Sequence, residues 1–311
     1  MLSLLAMTLI SGLVLPVLCA RTPSKEKSPK VTAPHIVLVT FGSSYPAPHQ
    51  TYRYIDELAR ARFDRDTISW AYTANFIIKK LREGRGEGAL AGQKIIVDTP
   101  TKTVKSLIEA GHSTLAVQSL HLIPGEEFEE LCAAMRALEQ QYTGITIRVG
   151  QPLLNSDEDI QAVAEILAAQ YEKAVAEGPV CFMGHGTSHP ADDRYEKLEL
   201  ALQDIHPHFY VGTVEGRRFE AGESNIENLI TRIGQLVPRP TSVTIAPLMS
   251  VVGDHAIHDM NAQTGASQAE DMSWREYLEA AGYTVHAVMK GLGDDAEINA
   301  IWMRHLEELL H

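Results

Sequence analysis

The chain has 311 residues, of which 45% are hydrophobic and 22% are charged, and its formal net charge is −13. This length suits one large α/β domain or two smaller ones, and the composition is typical of a globular protein. The acidic balance argues against nucleic acid as a partner, because a phosphate-binding face needs an excess of Lys and Arg. It does not argue against a small ligand, since a basic pocket can lie within an acidic protein.

The first 30 residues differ in character from the rest of the chain. MLSLLAMTLISGLVLPVLCA is apolar and has no charged side chain, and the polar, proline-bearing segment RTPSKEKSPK follows it. This order is typical of a cleaved secretory signal followed by a flexible spacer, so residues 1–30 predict export to the periplasm. Two alternatives stay open: an uncleaved membrane anchor, since the run is close to the ~20 residues that a span needs, and a cytoplasmic protein with a non-functional leader.

Strands and helices alternate through residues 31–155. Each predicted strand is a β-branched or apolar run that ends in a turn, and each predicted helix has apolar residues at helical spacing. The predicted strands are HIVLVTF, TISWAYT, STLAVQSL and ITIRVG, and the predicted helices are residues 51–63, FIIKKLRE, TKTVKSLIEAG and PGEEFEELCAAMRALEQQY. Such alternation predicts a parallel sheet with helices on both faces.

Residues 156–311 repeat that order. The predicted elements are a long helix at about 157–176, strand PVCFMG, a helix near 191–204, strand HFYVGTVE, a helix in ESNIENLITRIGQL, strand SVTIAPLM, helix WREYLEAAG, strand YTVHAVM and a helix from Asp295 to Leu310. The last helix is a candidate to pack back on the first domain. The boundary between the domains is placed at residues 155 and 156.

The two halves also resemble each other in detail. VLVTFGSSYPAPHQTY aligns with VCFMGHGTSHPADDRY, and LAVQSLHLIPGEEFEEL aligns with VTIAPLMSVVGDHAIHDM. We therefore predict an α/β fold of two similar parallel-sheet domains, related by a pseudo-two-fold axis. Parallel sheets bind ligands at the carboxyl ends of their strands, so the loops FGSSYP, QSLHLIPG, GHGTSHP and LMSVVGDHAIHD should line a cleft between the domains.

Three polar residues follow predicted strands of the second half. His185 comes directly after one strand, Glu215 ends another, and His255 follows the glycine of VVGDH. Two imidazoles and a carboxylate suit a divalent cation, and they are also suitable bases for removing N–H protons. Each histidine alone could instead make a structural hydrogen bond in its loop. Their joint placement at strand ends favours a site.

Other patterns support weaker hypotheses. In HAIH, His255 and His258 could share one helix face and bind a metal together with Asp254 or Asp259. No conventional zinc-hydrolase motif accompanies them. FIIKKLRE carries Lys79, Lys80 and Arg82, for which a solvated helix face is favoured over contact with substrate carboxylates.

The motifs GHGTSHP, GTVEG and APLMSVVGDHAIHDM, with VTFGSSY and AVQSLHLIPGEEFEEL in the first half, resemble the class II tetrapyrrole chelatases. The resemblance is to the cobalt chelatases of the CbiK type, and it runs from about His35 to the last helix. It implies two α/β domains with a cleft between them and insertion of Co²⁺ into sirohydrochlorin without ATP. It also implies that His185, Glu215 and His255 are the metal ligands and proton acceptors.

Sirohydrochlorin carries many carboxylates, so hydroxyl and backbone N–H groups in the loops are candidate anchors for it. These residues are Ser43, Ser44, Thr187 and Ser188. The sequence does not select the metal, since Fe²⁺ and Ni²⁺ also suit imidazole and carboxylate ligands and Fe²⁺ insertion would produce sirohaem.

The leader raises a second hypothesis, because the resemblance implies a cytoplasmic enzyme and an exported copy would be separated from its substrate. The alternative is an exported carrier protein for haem or metal on the chelatase scaffold, with His121 of QSLH as an axial haem ligand. Because QSLH also belongs to the chelatase pattern, a cleft-lining or structural histidine is favoured. A homo-oligomer is expected from base rates.

Overall fold

A computed structural model describes residues 34–63, 68–266, 268 and 271–311. The predicted leader, residues 1–30, lies outside the described residues. Among the helices that are described, none is both long and apolar enough to cross a membrane.

The first half forms a four-stranded parallel sheet with strand order β2-β1-β3-β4. The strands are β1 (His35–Thr40), β2 (Ile68–Tyr72), β3 (Thr114–Ser119) and β4 (Thr146–Gly150). The helices are α1 (Pro46–Phe63), α2 (Asn75–Arg82), α3 (Pro100–Glu109) and α4 (Glu126–Gln141). All of β1 is buried, as expected for a central strand covered by helices on both faces.

The second half forms a sheet with the corresponding order, β6-β5-β7-β8. The strands are β5 (Val180–Gly184), β6 (Phe209–Thr213), β7 (Ser242–Pro247) and β8 (Thr284–Ala287). The helices are α5 (Asp157–Gln170), α6 (Glu172–Glu177), α7 (Asp193–Ile205), α8 (Arg217–Glu220), α9 (Ile226–Gly234), α10 (Trp274–Ala280) and α11 (Ala296–Leu309). The predicted α/β fold with two similar parallel sheets is therefore confirmed.

Three element boundaries differ from the predictions. Helix α1 begins at Pro46 and not near Thr51. Proline is tolerated in the first turn of a helix, because the backbone N–H that it lacks would have no intrahelical acceptor there. The predicted helix 157–176 is broken at Tyr171, whose ring packs edge-to-face against Phe182 with centroids 5.1 Å apart. Strand β6 ends at Thr213, so Glu215 lies in the turn after the strand and does not end it.

The last helix joins the two halves. Helix α11 follows the second sheet in sequence but packs against β3 and β4 of the first. Trp302 and Leu306 of α11 are fully buried in a hydrophobic cluster that contains residues of both halves. The halves therefore share one core, which fixes the two sheets relative to each other.

A buried charged group ties α11 to α5. His305 Nδ1 lies 3.1 Å from the carbonyl oxygen of Gln151, and its Nε2 lies 3.1 Å from Asp159 Oδ1. Both neighbours are acceptors, so both hydrogen bonds form at once only with the imidazolium ring. Burial alone would raise the pKa of Asp159, but the hydrogen bond from Arg304, the charge of His305 and the bonds from Ser156 together hold it below its usual value.

We predict that Asp159→Ala lowers the free energy of unfolding by about 3–5 kcal/mol, because it removes the buried carboxylate that Arg304 and His305 contact. The lowered pKa of Asp159 means that this contribution is fully present above the unfolded-state pKa of about 4 and is lost as the pH falls through the lower folded-state pKa. Urea denaturation of the parent and the variant at pH 7 and at pH 3 measures both effects. The exposed neighbour Glu158→Ala is the control, with an expected change of less than about 0.5 kcal/mol. Equal unfolding free energies for the two variants at pH 7 would refute the role of the cluster.

Candidate functional site

A cleft of about 610 Å³ lies between the carboxyl ends of the two sheets. The loops that follow β1, β3, β5 and β7 line it, as predicted from the aligned halves. His185, Glu215 and His255 lie on the wall that the second half contributes. His121, Glu127 and the loop after β1 lie on the opposite wall.

Two backbone loops hold Glu215 beside His185. The carbonyl oxygen of His185 accepts hydrogen bonds from the N–H groups of Val214 and Glu215 at 3.2 and 3.0 Å. Gly186 has φ +87°, and a Cβ at this position would lie 1.8 Å from the carbonyl oxygen of Glu215. Only glycine fits both the left-handed conformation and this close approach. The glycine of GHG therefore brings the two loops together.

The structure brings the three predicted site residues to one place. His185 Nδ1 lies 3.3 Å from Glu215 Oε1 and 2.9 Å from the carbonyl oxygen of Gly186. The rings of His185 and His255 are 4.6 Å apart at their centroids and nearly perpendicular. All three side chains are partly exposed to the cleft. A ligand in the cleft can therefore contact all three.

The hydrogen bonds of the two imidazoles leave the same nitrogen free on each ring. Nδ1 of His185 faces the Gly186 carbonyl oxygen, and Nδ1 of His255 faces Asp259 Oδ2 at 2.5 Å. Both neighbours are hydrogen-bond acceptors, so Nδ1 of each ring carries the hydrogen. Each ring, when neutral, then keeps its lone pair on Nε2. The hydrogen bond to Asp259 also raises the pKa of His255. Protons therefore compete with a metal for Nε2 of His255 more strongly than for an ordinary imidazole.

The two histidines of HAIH make separate contacts, and the HAIH hypothesis stays a prediction. His258 lies near Tyr45 and Asp254, with Nε2 3.2 Å from the Tyr45 hydroxyl, while His255 pairs with Asp259. Within the ranges that the structure describes, no three His, Cys, Asp or Glu side chains are already arranged to hold a metal ion. Binding through His185, Glu215 and His255 thus requires their side chains to rotate.

The opposite wall carries His121, a residue that the sequence analysis selected, beside Glu127, which it did not select. His121 Nδ1 lies 2.8 Å from Ser119 Oγ, and its Nε2 lies 3.1 Å from Glu127 Oε2. Glu127 also accepts a hydrogen bond from Thr73 at 3.4 Å. The aligned halves place Glu127 at the position of His255, which is the signal that could have identified it. His121 as a haem ligand stays a prediction.

The predicted anchor residues divide into two groups. Ser43, Ser44 and Thr187 line the cleft, whereas Ser188 is exposed and does not line it. Ser43 Oγ accepts the Tyr45 N–H at 3.1 Å, and Thr187 Oγ1 accepts a backbone N–H at the same distance. Each hydroxyl keeps its own proton to donate, so these two side chains can still bind a carboxylate.

Side chains also bridge the cleft between the halves. The Tyr45 hydroxyl donates to Asp254 at 2.6 Å, and this hydrogen bond raises the pKa of Tyr45 to about 12. On the other side, His189 Nε2 lies 3.4 Å from Glu129. Tyr45 lies three residues after Gly42, and His189 lies three residues after Gly186. Both contacts join the two halves.

Comparisons with known proteins agree with this architecture. The sequence profile of the family described as "Cobalt chelatase (CbiK)" matches residues 34–311. The sirohydrochlorin cobaltochelatase CbiKC of Nitratidesulfovibrio vulgaris (strain Hildenborough) is 31% identical over 277 residues, covering 89% of this chain and 90% of that protein. The sirohydrochlorin cobaltochelatase of Salmonella typhimurium (strain LT2) is 32% identical over 281 residues, covering 89% and 96%.

Among solved structures, SirB from Bacillus subtilis with Fe³⁺ superposes with a TM-score of 0.58. The match covers 89% of this chain and 96% of that chain at 15% sequence identity. At this identity the likeness shows a shared fold.

We predict that Gly186→Ala disrupts the site, because its Cβ would displace the backbone of Glu215. The matched control is Gly111→Ala. Gly111 has φ +103°, and a Cβ added there would have no neighbouring atom within 4 Å. This variant therefore carries the conformational strain without the clash. Isothermal titration with Co²⁺ should show affinity lowered at least about tenfold for Gly186→Ala and unchanged for Gly111→Ala. Equal affinities for the two variants would contradict the proposed coupling of the loops.

Proposed function

Because the chain belongs to the cobalt chelatase (CbiK) family, we propose that it inserts Co²⁺ into sirohydrochlorin, without ATP, in the cleft between its two sheets. The observation that carries the proposal for the site is the convergence of two imidazoles and a carboxylate on one wall of that cleft. The cleft beside these side chains has a volume of about 610 Å³, which lies within the ~300–1,000 Å³ that is usual for small-molecule sites.

Metal capture uses Nε2 of His185, Nε2 of His255 and the carboxylate of Glu215. Imidazole and carboxylate suit a borderline divalent cation such as Co²⁺. His185 and His255 bind the metal as neutral rings, so the metal competes with the proton that Asp259 helps His255 to retain. Glu215 offsets part of the metal charge and lies on an exposed turn, where its side chain is free to follow the ion.

Insertion requires the macrocycle to lose two N–H protons for each Co²⁺ that enters. The approaching dication lowers the pKa of these N–H groups. As the metal leaves the imidazoles for the pyrrole nitrogens, the Nε2 lone pairs of His185 and His255 become free to accept the two protons. His121 and Glu127 provide a second proton acceptor on the opposite wall.

Both relatives are cobaltochelatases, and we propose cobalt as the metal substrate of this chain. Insertion of Fe²⁺ or Ni²⁺ and binding of haem stay predictions from the sequence. Export to the periplasm stays a proposal that rests on residues 1–30, and assembly into a homo-oligomer rests on base rates.

We predict that His185→Ala lowers Co²⁺ insertion by at least about 100-fold, because one imidazole acts both as metal ligand and as proton acceptor. The measurement is the absorbance change of sirohydrochlorin on addition of Co²⁺ in the absence of ATP. His286→Ala is the control, since His286 is exposed on the edge strand β8 outside the cleft. Both variants should keep the far-ultraviolet circular dichroism of the parent. Activity of His185→Ala within a few-fold of the parent would show that the site is assigned to the wrong residues.

A further inference from the structure

Two phenyl rings are exposed in the cleft on the wall opposite His185. Phe41 follows β1 and is 42% exposed, and Phe76 in the first turn of α2 is 63% exposed. The rings meet edge-to-face with centroids 5.9 Å apart, and both line the cleft. Leaving large aromatic surface in water costs free energy, so adjoining exposed rings inside a cleft indicate a surface that an apolar ligand covers.

The aligned halves show where this surface lies relative to the metal ligands. Phe41 follows the last residue of the central strand β1 and precedes Gly42, whose φ is +96°. His185 follows the last residue of β5 and precedes Gly186, whose φ is +87°. The two central strands thus present a phenyl ring from one wall and an imidazole from the other. A phenyl ring cannot bind a metal, so the wall of Phe41 suits contact with the face of a macrocycle.

A cation lies one helical turn from Phe76. Lys80 is four residues further along α2, so the two side chains share a helix face. Of the Lys and Arg residues that the structure describes, Lys80 is the one that lines the cleft. Its Nζ lies 2.6 Å from Glu87 Oε1, and its side chain is 29% exposed. The adjacent Lys79 is exposed and lies outside the cleft lining.

We propose that Phe41 and Phe76 form a platform on which the macrocycle stacks with its other face toward His185, and that Lys80 binds one peripheral carboxylate. This inference rests on the proposed function, since it takes a carboxylated tetrapyrrole as the substrate. Lys80 already pairs with a carboxylate, that of Glu87, which a substrate carboxylate replaces. The platform and the cation together select a flat conjugated ring that carries acidic groups at its edge.

The aromatic stacking and the ion pair of Lys80 should respond differently to salt. Stacking of a conjugated ring on an aromatic side chain depends on contact area and is insensitive to salt, so Phe76→Ala should weaken binding about tenfold. The pair between Lys80 and a substrate carboxylate is partly exposed, so salt screens it. Lys80→Gln should therefore weaken binding about threefold at low ionic strength and less at high ionic strength.

The test is equilibrium titration of the full chain with metal-free sirohydrochlorin, followed by its absorbance. Phe76→Ala should raise the Kd about tenfold, and Phe76→Tyr should restore the parent value, because it keeps the ring. Lys80→Gln should raise the Kd at low salt, and Lys80→Arg should retain most of the affinity. The matched controls are Leu200→Ala, an exposed apolar residue of α7 outside the cleft, and Lys79→Gln. Both controls should bind like the parent.

Kinetics separates this inference from the proposed function. Phe76→Ala should raise the KM for sirohydrochlorin and leave the KM for Co²⁺ unchanged. If the parent inserts cobalt but Phe76→Ala and Lys80→Gln both bind the macrocycle like the parent, the platform is wrong and the proposed function stands. If the parent neither binds sirohydrochlorin nor inserts cobalt, the proposed function fails and the platform fails with it.

Discussion

The site depends on the contact between Gly186 and the backbone of Glu215. Residue 186 has a left-handed conformation, and the Glu215 carbonyl oxygen occupies the space that any Cβ would need. The His185 carbonyl oxygen also accepts hydrogen bonds from the N–H groups of Val214 and Glu215. Because this contact belongs to the backbone, it fixes the relative position of the two backbone segments that carry the imidazole of His185 and the carboxylate of Glu215 before any ligand arrives, while their side chains can still rotate. Such preorganisation is what a site for a divalent cation requires.

The proposed chemistry arises from differences in residue type between two halves that share the same strand order. The strand orders correspond, and each central strand ends before a glycine with positive φ. Directly before these glycines, however, the second half carries His185 where the first carries Phe41, and in the aligned loops after β7 and β3 it carries His255 where the first carries Glu127. In the proposed function, one wall therefore holds the metal and the other holds the macrocycle. Helix α11 maintains this arrangement, because it crosses from the second half to cover the first sheet.

Local patterns predicted most of the fold and the positions of the site residues. Alternating β-branched strands and amphipathic helices predicted the sheets, and the positions of His185, Glu215 and His255 in the segments that follow strands predicted that they meet at one cleft. Contacts between distant residues were not predictable from such patterns. His305 and Asp159 are 146 positions apart, and the exposure of Phe76 depends on which helix face turns to the cleft. The break at Tyr171 was missed for the same reason, since a tertiary contact with Phe182 accompanies it.

The central claim is that two imidazoles of the second half and one carboxylate bind the metal in this cleft. Cobalt K-edge X-ray absorption of the Co²⁺-loaded chain, compared with its His255→Ala variant, tests it most directly. Two imidazole ligands in the parent and one in the variant, each with Co–N distances of about 2.0–2.1 Å, are expected by analogy with zinc sites. A spectrum of the parent that shows only oxygen ligands, or the same imidazole count in both proteins, would contradict the claim.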